Sequence, residues 1–472
     1  MNAIATDAAT AEEPKKASIR KVIFASSVGT IFEYYDFYLY GTLAVFFGSL
    51  FFPPGNDKAA LLASLATFGA GFGVRPLGAL VFGRLGDRIG RKYTFLLTVV
   101  IMGMATFLTG MIPTYAQIGL WAPFFLVFLR LAQGLALGGE YGGAATYVAE
   151  HAPDDQRGHH TSYIQTAATI GFFISLAVIG AARSYYGPDE FKAFGWRIPF
   201  LLSFILLAVS LYIRLKMKES PVFQKLKAGG QVSRNPIKES FGNKRNLKFV
   251  LLALFGATAG QGVVWYCGQF YALTFLQKPL NLSWQLSYMM VAIALAIGTP
   301  SFVYFGKLSD RIGRKKVMMT GFFLAAITYV PIYMGMKALV NPTGAPAVDS
   351  LPLANMIGLI ALLTIQIVYV GITYGPIAAF LVELFPTSIR YTSMSLPYHL
   401  GLGWFGGFLP LIATATSTSD WAAATFGSNA IYTGFIYACG VCLMTAIVGT
   451  LYIRETKHHK IDTPIHEATE NG

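Results

Sequence analysis

Five ionisable residues stand deep inside long apolar stretches of this chain: Glu33, Asp36, Arg75, Arg130 and Glu140. Each costs roughly 3 kcal/mol at the centre of a bilayer if left alone, so all five must face a polar cavity or one another. Helix rise places Asp36 about 22 Å along its stretch from Lys21, and Arg130 roughly 14 Å into its own. Both then sit near mid-depth, and an Asp36–Arg130 pair is expected. Arg75 and Glu140, about 12 and 14 Å from the inner ends of their stretches, form a second expected pair. Glu33 and Asp36 are i and i+3, so they share a helix face. A carboxylate beside an arginine stays ionised, and one moved away into apolar surroundings takes up a proton. Asp36, paired with Arg130, is thus the expected proton site, with Glu33 and Glu140 as the alternatives. The bidentate forks of Arg75 and Arg130 suit a carboxylate ligand.

The elements that position these groups follow from composition. Of 472 residues, 54% are hydrophobic and 12% charged, against about 25% charged in a soluble domain. The apolar content excludes disorder, and three cysteines exclude a disulfide scaffold. A helical span needs about 20 apolar residues. Twelve such stretches are read: 21–48, 60–83, 93–112, 121–149, 158–182, 196–216, 249–277, 285–306, 317–337, 352–382, 393–415 and 430–453. The first is too long and too acidic for a cleavable signal. The expected class is an all-α membrane protein of twelve transmembrane helices.

The net charge of +13 could point to nucleic acid or to an anionic surface. Its distribution decides against nucleic acid. With both termini cytoplasmic, 28 of the 36 lysines and arginines fall on the inner side and five on the outer, as the positive-inside rule requires. The expected organisation is a cytoplasmic tail (1–20), a six-helix bundle (21–216), a basic cytoplasmic linker (217–248), a second six-helix bundle (249–453) and a cytoplasmic tail (454–472).

The halves repeat each other. Gly83-Arg84-Leu85-Gly86-Asp87-Arg88-Ile89-Gly90-Arg91-Lys92 returns as Gly306-Lys307-Leu308-Ser309-Asp310-Arg311-Ile312-Gly313-Arg314-Lys315, 223 residues later. Glu150, Pro153 and Arg157 return as Glu383, Pro386 and Arg390, 233 residues later. Repeated bundles flanking a central site are a transporter architecture. Asp87 and Asp310 can cap a helix start or pair with a neighbouring arginine. With Arg88, Arg91, Arg311 and Arg314, and with Glu150–Arg157 and Glu383–Arg390, they form an expected charge latch at the inner gate. In the second half Gln261, Trp265 and Gln269 recur every four residues on one helix face, a stripe suited to a small polar solute. Tyr35, Tyr374, His399 and, more weakly, Trp404 complete the candidates for solute contact.

The duplicated Gly-x-Leu-x-Asp-Arg-x-Gly-Arg-Lys loop resembles the signature of the major facilitator superfamily. Phe32-Glu33-Tyr34-Tyr35-Asp36-Phe37-Tyr38, Arg75-Pro76-Leu77-Gly78, and Arg130-Leu131-Ala132-Gln133-Gly134 running into Gly138-Gly139-Glu140-Tyr141-Gly142-Gly143 resemble its metabolite:proton symporter family. Gln261-Gly262-Val263-Val264-Trp265-Tyr266 and Trp196-Arg197-Ile198-Pro199-Phe200 fit the same family, and the resemblance runs from about residue 20 to 455. That family usually shows Glu-Trp-Tyr-Asp-Phe in its first helix; Tyr34 here replaces the tryptophan. The resemblance implies two six-helix repeats and proton-driven import of small, often carboxylated, metabolites; family members also carry zwitterions such as betaines. Asp36 with Arg130 is also similar to the first-helix aspartate and fourth-helix arginine of proton-coupled sugar porters.

Other signals carry little. Cys439-x-x-Cys442 lies in an apolar stretch with no companion ligands, and the Gly138–Gly143 run lacks the lysine and strand of a phosphate loop. His159-His160 and His458-His459 read as solvated loop or tail pairs. No metal, cofactor or catalytic constellation is expected. The expected function is proton-coupled symport of a small organic acid by a monomer in a bacterial inner membrane, the bilayer being its only large partner. A betaine-type osmolyte importer and a non-transporting solute sensor are the alternatives.

Overall fold

The computed structural model describes residues 19–89, 91–139, 141–216, 235–386, 389–457 and 459. The N-terminal tail to residue 18, the linker from 217 to 234, Glu140, and the side chains of Glu33, Asp87, Arg88, Arg91 and Glu150 lie outside the described residues.

Twelve helical stretches carry the fold. In the first half they are α1 (Ile19–Phe51), α2 (Asp57–Leu85), α3 (Arg91–Thr109), α4 (Trp121–Leu137, taken up again by Tyr141–His151), α5 (Arg157–Glu190) and α6 (Arg197–Lys216). In the second they are α7 (Lys244–Gln277), α8 (Trp284–Ile312), α9 (Arg314–Val340), α10 (Leu353–Leu384), α11 (Arg390–Ser417) and α12 (Phe435–Tyr452). Among the described residues nine helical stretches are long and apolar enough to cross a membrane. Leu96–Thr109 and Arg197–Tyr212 are shorter apolar helices, and the 33-residue α1 completes the twelve. Many large apolar side chains are exposed on the helices, among them Phe124, Phe128, Phe204, Ile297, Phe323 and Leu451. Such a surface is stable only in lipid.

Local chemistry sets the helix ends. Asn56 caps α2, its side chain accepting from the Ala59 N–H at 2.9 Å. A short helix, Pro236–Phe241, is capped by Asn235 and precedes α7, which begins at Lys244, within the stretch expected to be linker. Two wide turns, Leu254–Thr258 and Cys267–Tyr271, interrupt α7, and another, Leu400–Gly406, interrupts α11. Such π-turns break helical regularity and are found mostly where function requires it.

The halves touch at both ends. At the end carrying the repeated basic loops, α5 crosses α8 with backbone against backbone. A Cβ on Gly306 would stand 2.6 Å from the Gly158 carbonyl oxygen, and one on Gly158 would stand 2.5 Å from that of Gly306. Gly306 is the first residue of the repeated loop motif. Its later glycine, Gly313, has φ +112°, a conformation side chains rarely adopt, and there the chain turns from α8 into α9. At the far end Lys58 donates to the Thr418 carbonyl, joining α2 to the segment after α11.

Gly306→Val therefore wedges α5 from α8. Overpacking of this kind costs about 1–3 kcal/mol, and this contact is met only when the basic end is closed. Expected outcome: the protein inserts normally, its melting temperature falls by a few degrees, and solute uptake drops by about tenfold. Uptake at the native rate would show that this crossing need not close.

Candidate functional site

The deep charged residues come mainly from α1, α2 and α4. Asp36 is buried at 3% exposure, and its Oδ1 has no hydrogen-bond partner among the described residues. The expected Asp36–Arg130 ion pair is not formed. Arg130 instead donates through Nη1 to Gln133 Oε1 at 3.0 Å, and its guanidinium lies 4.8 Å from the Tyr40 ring centroid and 4.9 Å from that of Phe68. The reason lies one turn along α1. Tyr40 is four residues past Asp36, on the same face, and its ring takes the guanidinium first. Helix rise gave the right depth but could not rank an aromatic face against a carboxylate. Arg75 lies over Phe72 at 4.0 Å, and Arg130 lies 6.0 Å from the same ring, so both arginines gather at Phe72. The expected partner of Arg75, Glu140, lies outside the described residues, as does the Glu33 side chain.

The second half meets this region through aromatic rings. Trp265 stacks on Tyr38 of α1 (6.4 Å, 27° between planes) and packs edge-on against Tyr374 at 4.9 Å. The Tyr374 hydroxyl bonds that of Tyr398 at 2.8 Å and lies 3.5 Å from that of Tyr34. Tyr141 and Tyr398 stack with centroids 3.5 Å apart. Phe270 stacks on Phe172 at 4.5 Å. The interface between the halves is therefore a column of rings. Tyr34, Tyr38, Tyr141 and Tyr398 were missed in the sequence. Tyr34 and Tyr38, four apart on α1, were the available signal.

Gln261 and Gln269 of α7 are fully buried, and no amide atom of either has a hydrogen-bond partner among the described residues. Neither has Trp265 Nε1, nor either nitrogen of His399. A buried polar group without a partner is costly. Gln261, Trp265, Gln269 and His399 are thus four buried polar side chains of the second half. Gln269 lies within the wide turn Cys267–Tyr271, so the backbone of α7 is irregular at this stripe. Two expected contacts lie elsewhere. Tyr35 donates to the Pro199 carbonyl at 3.0 Å, which ties α1 to α6 within the first half. Trp404 is half-exposed and donates to the Gly73 carbonyl, a strut between α11 and α2.

At the basic end the expected latch is centred on one carboxylate. Glu383, fully buried on α10, lies 3.0 Å from Arg314 Nη2 and 3.7 Å from Arg157 Nη1. Arg157 belongs to the first half and also pairs with Asp154. Asp310 does both things expected of it: it pairs with Arg314 and caps α5, accepting from the N–H groups of Gly158 at 2.9 Å and His159 at 2.8 Å. The repeat-based pairing of Glu383 with Arg390 is not formed. Arg390 Nε donates to the Phe385 carbonyl, because Arg314 and Arg157 already hold the carboxylate. The Arg311 side chain is exposed; only its backbone carbonyl takes part, accepting from Lys457. The side chains of Asp87, Arg88, Arg91 and Glu150 lie outside the described residues.

The start of the C-terminal tail is woven into this network. Thr456 donates to Glu383 at 2.7 Å, and the Glu455 carboxylate accepts from the N–H groups of Arg314 and Lys315 at the start of α9. Arg157 also reaches the His459 carbonyl. Sequence reading passed over this stretch as a polar tail.

Comparison with known proteins decides the family. The Major Facilitator Superfamily profile matches residues 27–398. This chain belongs to the Major Facilitator Superfamily. It is 35% identical to the inner membrane metabolite transport protein YhjE of Escherichia coli strain K12, covering 94% of this chain and 96% of that protein. It is 34% identical to a proline/betaine transporter of Salmonella typhimurium strain LT2, over 84% of this chain and 77% of that one. In fold it is similar to a solved structure of the proton:xylose symporter XylE, with a TM-score of 0.72 at 17% identity over 94% and 98% of the two chains. This facilitator is a multi-pass membrane transporter, not an enzyme.

Glu383→Gln keeps the shape at the hub and removes its charge. Breaking a buried pair from one side costs about 3–5 kcal/mol. The basic end should loosen, with faster hydrogen exchange at the Gly158 and His159 amides that Asp310 caps. Unchanged exchange there would show that Glu383 does not hold the two halves together.

Proposed function

We propose that this facilitator imports a small carboxylate-bearing solute together with protons, by alternating access. One observation carries the reading: Asp36, a buried carboxylate whose Oδ1 has no hydrogen-bond partner among the described residues, sits on α1 four residues from Tyr40, whose ring lies against Arg130. A buried charge must be met or discharged, and a proton discharges it. Arg130 and Arg75 lie against aromatic rings and carry the forked guanidinium geometry that a solute carboxylate would match. Glu33 and Glu140 are proposed to share the proton pathway. Gln261, Gln269, Trp265, Tyr374 and His399 supply neutral contacts from the second half.

Specific observations favour a second reading, a zwitterion such as a betaine. Tyr34, Tyr38, Trp265 and Tyr374 form a ring-lined interface, and aromatic faces attract quaternary ammonium groups. Relatives named proline/betaine transporters support it. Both solutes carry a carboxylate, so the arginine role is common to both.

The distribution of basic residues supports an orientation with both termini and the Glu383 network facing the cytoplasm, and the relative named an inner membrane protein supports that location. The domain boundaries proposed are 21–216 and 249–453, with 217–248 as a cytoplasmic linker. The gate is proposed to break and remake the Glu383 and Asp310 contacts, with Asp87, Arg88, Arg91 and Glu150 as their counterparts in the first half.

Proteoliposomes with an imposed pH gradient test this directly. Carboxylates or betaines should accumulate against their gradient. A solute that binds but never accumulates would indicate a sensor. Asp36→Asn should lower gradient-driven accumulation by about tenfold or more while exchange of labelled for unlabelled solute continues. Undiminished accumulation would remove Asp36 from the proton pathway.

A further inference from the structure

The end of the molecule opposite the Glu383 network holds a second polar site between the halves. A cavity of ≈ 370 Å³ lies there. Arg183 of α5 and Asp57 of α2 line it from the first half; Gln277, Lys278, Trp284 and Tyr288 line it from the second. The Arg183 guanidinium lies 4.1 Å from the Trp284 ring centroid and 6.0 Å from that of Tyr288. This cation–ring contact joins the two halves.

The wall is rich in donors. Among the described residues Arg183 and Lys278 form no ion pair with Asp57 or with any other carboxylate. Gln277 Nε2 is buried and has no hydrogen-bond partner among the described residues. A guanidinium held by the Trp284 and Phe191 rings and by Tyr288, an ammonium and an amide donor without a partner among the described residues converge on one cavity. A small carboxylate supplies the anionic acceptor that neither cation has among the described residues and an acceptor for the Gln277 amide, and its two oxygens match the guanidinium fork.

We propose that this cavity is an outer binding site for the carboxylate of a small solute, with Arg183 as its ligand. The Arg183–Trp284 contact is the closed form of the site. A carboxylate entering from outside takes the fork of Arg183 and draws it off the indole, which unbolts α5 from α8 at this end. The uncovered indole face is then open to the cationic group of a zwitterion. Helix α5 thus docks on the second half twice, through Arg157 and through Arg183, about 39 Å apart along the helix. The ligand class rests on the carboxylate reading above; the cross-half contact does not.

Thr42 lines the same cavity and is buried, so a cysteine there reports opening. The test uses Thr42→Cys in the full-length protein with its three native cysteines replaced by serine, labelled from outside with a membrane-impermeant maleimide. Propionate, or glycine betaine if the solute is a zwitterion, should speed labelling by about fivefold or more, and the neutral isostere propionamide should not. Arg183→Ala should label fast without any probe, and propionate should add nothing. Trp284→Phe, which keeps Arg183 and a ring, should label somewhat faster at rest and still respond to propionate. The site is overturned if both propionate and glycine betaine leave labelling unchanged, or if the propionate response survives Arg183→Ala. Carboxylate accumulation in proteoliposomes with an unresponsive Thr42→Cys would overturn this site and leave the transport reading standing. A responsive Thr42→Cys without accumulation would do the reverse.

Discussion

Burying Glu383 without losing it to desolvation is the constraint around which the basic end is built. A carboxylate taken out of water is tolerable only beside cations with good geometry. Arg314 comes from the same half, Arg157 from the other, and Thr456 from the tail. One charge is thereby shared by three parts of the chain. Any movement that separates the halves leaves Arg157 without its buried partner, so closure at this end is strongly cooperative. The Gly158–Gly306 crossing brings α5 close enough for Arg157 to reach.

The deep charges in the first half obey the same economy by another route. Arg75 and Arg130 are stabilised by the rings of Phe72, Phe68 and Tyr40. Ring faces hold a cation more weakly than a carboxylate does. Such rings let a cation stay buried and charged beside its polar contacts. In the second half the buried amides of Gln261 and Gln269 have no hydrogen-bond partner among the described residues.

Much of this was legible in the sequence, for identifiable reasons. Spans are written in hydropathy, because a bilayer demands about 20 apolar residues per crossing. Asp310 was legible because its place in a repeated loop beside a helix start leaves it few roles. The Gln261–Trp265–Gln269 spacing was legible as a regular helical repeat, while the wide turn that takes in Gln269 was not. Partner choice was not legible. Asp36 with Arg130 and Glu383 with Arg390 were reasonable by depth and by repeat, yet Tyr40 and Arg314 took the partners. Rotation about a helix axis and competition among neighbours decide such pairs, and a sequence carries neither. The repeat misled about Arg390 for a further reason: duplicated motifs need not keep duplicated contacts once the two copies face different neighbours.

The position of Glu455 and Thr456 bears on how the molecule is made. They lie beyond α12 and so leave the ribosome after all twelve helices, and yet they cap α9 and complete the hub at Glu383. All twelve helices can be inserted before that end is finished. A nascent chain therefore passes through a stage with the twelve helices made and one face still unfastened, and translating Glu455 and Thr456 is what fastens it.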